Sequence, residues 1–94
     1  MNTDDLSEQA DLKVSLYPNP TRNMAIINFS VLEEAQVSLA IYNKLGQHVS
    51  ILDLGFLKEG DYEQGLNLGN YPAGVYSVQL TIGKKQLVRN LVID

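Results

Sequence analysis

The chain has 94 residues, a formal net charge of −4 and no cysteine, with 45% hydrophobic and 19% charged residues. That length suits one domain with a small core, since a chain of this size buries only about 60–65% of the surface it exposes unfolded. Disulfides and thiolate metal sites are excluded, and no apolar run reaches the roughly 18 residues of a membrane span.

The first twelve residues hold Asp4, Asp5, Glu8 and Asp11 without a Lys or Arg. They read as an acidic flexible linker, residues 1–12, and their acidic start does not fit a signal peptide. A leader for export is therefore expected outside this chain. From Lys13 onward the 7 Lys and Arg balance the remaining 7 of 11 Asp and Glu. A neutral body offers no electrostatic footprint for nucleic acid or an anionic membrane.

From Lys13 the apolar period is two, the signature of strands. Val14–Tyr17 is the first, ended by Pro18-Asn19-Pro20, where neither proline can donate to a ladder. Met24–Val31 is the second, with Ala25, Ile27, Phe29 and Val31 on one face. Gln36–Asn43 is the third, with Val37, Leu39 and Ile41 inward. Asn43-Lys44-Leu45-Gly46 then forms a hairpin turn, with Gly46 supplying positive φ. His48–Leu54 returns, a turn spans Gly55 to Gly60, and Asp61–Leu68 follows with Tyr62, Leu66 and Leu68 buried. After the turn at Gly69-Asn70-Tyr71-Pro72-Ala73-Gly74, residues 75–82 alternate most clearly, with Tyr76, Val78, Leu80 and Ile82 inward. Gly83-Lys84-Lys85 leads into Gln86–Ile93. Seven short strands without a helix predict an all-β, seven-stranded antiparallel immunoglobulin-like β-sandwich over residues 13–94.

Side chains for chemistry are scarce. His48 is the single histidine, too few for a common zinc set and without a Ser-His-Asp arrangement around it. Glu33-Glu34 are neighbours in a turn, and the early acidic residues do not match a calcium loop. No glycine-rich phosphate loop occurs, so no cofactor, metal or small-molecule substrate is expected, and the chain is not read as an enzyme. Asn28-Phe29-Ser30 fits a glycosylation sequon but falls inside a strand. The five tyrosines leave a carbohydrate-binding or adhesive module as the rival reading.

Three segments resemble one family. Leu16-Tyr17-Pro18-Asn19-Pro20 is similar to its opening signature, Ile41–Val49 to its central hairpin, and Leu66–Tyr76, with Pro72, Gly74 and Tyr76, to its "Leu-x-Leu…Leu-Pro-x-Gly-Val-Tyr" block. The family is the type A carboxyl-terminal sorting domain of the type IX (Por) secretion system of Bacteroidetes. The resemblance implies a non-catalytic label at the end of a larger cargo, which passes through the periplasm to the outer membrane, the cell surface or the medium. Its implied partners are the outer-membrane translocon and a sortase-like peptidase, which would cut within residues 1–12.

The final segment, Leu87-Val88-Arg89-Asn90-Leu91-Val92-Ile93-Asp94, is a strand where chain ends are usually soft and polar. At a sheet edge it could pair with a receptor strand, or with another copy of the chain. The hairpin from Val75 to Asp94 is accordingly the expected recognition element, with Lys84, Lys85, Arg89, Leu91, Val92 and Ile93 as the candidate contacts. Tyr17, Pro18, Asn19, Pro20, Gly46, Pro72, Gly74 and Tyr76 are assigned to the fold, and Asn19 and Gly74 in particular to turn geometry.

Overall fold

In the computed structural model, residues 13–94 are described; the proposed linker at 1–12 lies outside them. Seven strands follow in order: β1 (Val14–Tyr17), β2 (Met24–Val31), β3 (Ala35–Tyr42), β4 (His48–Leu57), β5 (Gly60–Asn67), β6 (Gly74–Ile82) and β7 (Lys85–Ile93). They form a three-stranded sheet, β1-β2-β5, and a four-stranded sheet, β4-β3-β6-β7. Every pairing between named strands is antiparallel. This is a sandwich of the immunoglobulin-like kind.

The alternation read from the sequence is the alternation that packs. Ala25, Ile27, Phe29 and Val31 of β2 face Val37, Leu39 and Ile41 of β3 and Tyr76, Val78, Leu80 and Ile82 of β6 across the core, all buried. Leu66, Leu68, Leu91 and Ile93 complete it. Tyr62 is only half-buried, stacked on Phe29 with ring centroids 5.6 Å apart.

β4 departs from expectation. The turn predicted at Gly55 is a bulge, and the strand continues to Leu57. Pairing with β3 jumps from Val37↔Gly55 to Ser38↔Asp53, so Leu54 is the extra residue. Gly55 has φ 77°, a left-handed conformation that glycine adopts without steric cost. Asp53 Oδ1 accepts from the Gly55 N–H at 2.9 Å and holds the kink. A glycine after an apolar run signals turn and bulge equally, which is why the sequence pattern did not separate them.

Two strands begin with one device. Gly60 opens β5 and Gly74 opens β6, and two residues on, Tyr62 and Tyr76 send their hydroxyls back to the carbonyls of Lys58 and Pro72, each at 2.6 Å. Each phenol closes the loop that leads into its own strand, as in the tyrosine corner of sandwich folds. Tyr71 packs against Tyr76 with ring centroids 5.8 Å apart. The Asn43–Gly46 turn is closed by Asn43 Oδ1, which accepts from the N–H groups of Leu45 and Gln47, and Gly46 takes φ 80°.

Candidate functional site

β7 is an edge strand, and its outer edge is divided in two. In an antiparallel ladder, alternate residues turn their N–H and C=O groups away from the neighbouring strand. On β7 these are the even-numbered residues. At the carboxyl end they are already engaged. The Asn19 side chain donates to the Asn90 carbonyl at 2.8 Å and accepts from the Val92 N–H at 2.9 Å. Thr21 then pairs in parallel with Ile93, donating to the Val92 carbonyl at 2.9 Å and accepting from the Asp94 N–H at 2.8 Å.

The amide of Asn19 thus stands in for one residue of a neighbouring strand, and the Pro18–Thr21 loop clasps the end of β7. The Tyr17-Pro18 and Asn19-Pro20 peptide bonds are both cis, and Thr21 Oγ1 donates to the Met24 carbonyl where the loop enters β2. Asn19 therefore does more than shape a turn. No local signal marks this, because its partners lie 71 and 73 residues away.

The other half of the edge is open. Gln86 and Val88 turn their backbone groups outward by the same alternation. The Val88 carbonyl there accepts a hydrogen bond from Arg89 Nη1 at 3.0 Å. Arg89 belongs to the inward row with Leu87, Leu91 and Ile93, yet it is exposed. An inward-directed charge on an edge strand is one of the devices by which sheets limit indiscriminate pairing.

The structure spreads the proposed contacts over different environments. Leu91 and Ile93 are core residues, 0% and 3% exposed, so they hold β7 in place and present nothing outward. Val92 is half-buried with its backbone in the clasp. Lys84 and Lys85 are exposed at the β6–β7 turn and share a shallow depression with Glu33 and Glu34, so the turn is not a purely basic patch. Val88, which sequence reasoning left out, is 53% exposed at the middle of the open edge.

Elsewhere, Tyr17 and Tyr42 stand on different sheets, the Tyr42 ring packing against His48 in a tilted arrangement with centroids 4.4 Å apart. They form no common platform for a sugar. Asn28 Nδ2, the atom a glycan would occupy, donates to the Tyr17 hydroxyl at 3.2 Å. Among the described residues, no three His, Asp or Glu side chains gather as metal ligands would.

The fold is thus a small two-sheet sandwich whose last strand, β7, is half clasped and half open at a sheet edge. Residues 15–94 match the family described as the secretion system C-terminal sorting domain, and the chain belongs to it. The family comprises sorting signals rather than catalysts, and it marks a protein for secretion or the cell surface through contact with secretion machinery. No curated protein matches the chain. A solved structure titled as that of a putative beta-galactosidase from Bacteroides fragilis is similar over 88% of this chain, with 22% identity and a TM-score of 0.43. The matched region spans 16% of that chain.

Proposed function

We propose that this domain directs a larger cargo through the outer-membrane translocon of the type IX system, and that a sortase-like peptidase then cuts upstream of it, within residues 1–12. The cargo passes through the periplasm and ends at the cell surface or in the medium. The translocon reads the β6–β7 hairpin, with Lys84, Lys85 and Arg89 as direct contacts and the open edge at Gln86–Val88 as the place where a receptor strand adds. Leu91, Val92 and Ile93 act by anchoring that edge. The observation that carries this reading is the open half-edge of β7 in a chain of the sorting family. Strand addition needs outward-facing N–H and C=O groups, and beyond the clasp β7 offers those of Gln86 and the N–H of Val88, with the Val88 carbonyl held by Arg89.

The test is fusion of residues 1–94 to an inert periplasmic protein in a type IX-competent cell, followed by surface detection of the passenger. Truncation of Arg89–Asp94 is a poor comparison, since it removes two core side chains. Val88→Pro is better. It deletes only an outward-facing N–H, a position at which edge strands accept proline. The variant is expected to melt close to wild type and to lose export. Normal export of a folded Val88→Pro domain would refute edge reading, while failure of the wild-type fusion would refute the address function itself.

A further inference from the structure

The two halves of the clasp are built differently. Thr21 is 4% exposed and pairs in parallel with Ile93 through its own backbone, bonding the Val92 carbonyl and the Asp94 N–H. A regular parallel ladder would continue two residues earlier, with the backbone of residue 19 bonding the Asn90 carbonyl and the Val92 N–H. Both of those bonds exist, at 2.8 and 2.9 Å, but the side-chain amide of Asn19 makes them. An amide side chain carries the donor and the acceptor of a peptide group, so here it occupies the place of one strand residue. Asn19 is exposed, as are Pro18 and Pro20 on either side. Rotation about its side-chain bonds therefore gives up both hydrogen bonds to water while Thr21 keeps its grip. The clasp has a fixed half and a detachable half.

We propose that the Asn19 amide is a placeholder for a receptor strand: docking swings it off β7, and the partner's backbone takes over the Asn90 carbonyl and the Val92 N–H. The inference rests on the edge reading of β7 given above and sets the extent of what is read. Before displacement the edge offers Gln86 and the Val88 N–H, whereas paired strands usually run about 3–10 residues. After it, the outward row runs from Gln86 through Asn90 to the Val92 N–H and stops where Thr21 holds the Val92 carbonyl. The Val88 carbonyl, bonded to Arg89 Nη1, keeps a second lone pair for the partner. The exchange conserves hydrogen bonds, since each Asn19 bond is replaced by one from the partner and the freed amide is hydrated. The outward Asn90 N–H then gains a partner as well. What remains is a cost in affinity, because a site that is open only part of the time binds more weakly by that fraction. Asn19 is thus a positioning residue that sets how tightly, and over what length, β7 is read.

Titration of the labelled 94-residue chain onto immobilised detergent extracts of outer membranes tests this, with extracts from type IX-competent cells and from the same cells lacking the system. Wild type is expected to bind only the former. Asn19→Ala removes the placeholder and is expected to bind about 5–30-fold more tightly, the same factor by which its Val92 N–H is expected to exchange faster. It does so although its melting temperature falls. Tyr76→Phe, whose lost bond lies in the loop before β6, is expected to bind as wild type, which separates the clasp from a general loss of stability. Binding by folded Asn19→Ala that is equal to or weaker than that of wild type overturns the proposal. Hydrogen exchange of bound wild type gives a second reading that needs no variant. Protection is expected to reach the Asn90 N–H, and protection that ends at Val88 overturns the proposal. Absence of system-dependent binding by wild type would instead refute the address function, so the two failures are distinct.

Discussion

Replacing Asn19 by alanine removes both hydrogen bonds from its side chain to β7 and leaves the Thr21 bridge to supply the rest of the clasp. A hydrogen bond contributes about 0.5–1.5 kcal/mol net. Asn19 is exposed, and the freed Asn90 carbonyl and Val92 N–H can hydrate, so each bond sits near the lower end. The expected loss is about 1–2 kcal/mol, which for a domain of this size lowers the melting temperature by roughly 5–12 °C. Amide exchange locates the effect. The Val92 N–H, now without Asn19 Oδ1, is expected to exchange about 5–30-fold faster, which is the factor corresponding to 1–2 kcal/mol. The Leu91 N–H faces β6 and should follow only the global loss of stability. A melting temperature within about 1 °C of wild type, together with unchanged exchange at Val92, would refute the clasp.

Three further outcomes follow from the packing. Leu91→Ala empties a fully buried position and is expected to cost about 2–5 kcal/mol, a large share of the stability of so small a domain, measured by urea unfolding. Tyr76→Phe deletes the hydroxyl bond to the Pro72 carbonyl and is expected to cost about 0.5–1.5 kcal/mol, with little change in the far-ultraviolet spectrum. Gly46→Ala meets no atom within 4 Å, but φ there is 80°. Its expected cost is therefore conformational alone, about 1 kcal/mol, and Gly46→Asn is expected to recover part of it in thermal melts.

The proline-flanked loop links the two ends of the fold. Pro18-Asn19-Pro20 looks like a turn by composition, and in the structure it also closes half of the last strand's edge. The same side chains therefore limit where a partner can pair with β7. Arg89 contributes at the boundary, its guanidinium resting on the Val88 carbonyl where the open half begins.

Strand alternation is local chemistry, and the sequence alone determined it. A period of two places Ala25, Ile27, Phe29 and Val31 on one face whatever the strand later pairs with, and the turn residues from Asn43 to Gly46 act within four positions. The motifs at Leu16–Pro20, Ile41–Val49 and Leu66–Tyr76 pointed to the same family that residues 15–94 match. Only the tertiary structure decided which strands became edges, because sheet order depends on contacts between residues far apart in the chain. That order separates Leu91 and Ile93, sealed in the core, from Leu87, half-buried, and Arg89, exposed, although all four share the inward row of one short strand. It also brought Asn19 to Val92 and left β4 without a single buried residue. Alternation assigns a side chain to a face, whereas burial depends on whether another sheet or strand covers that face, and no local pattern encodes that.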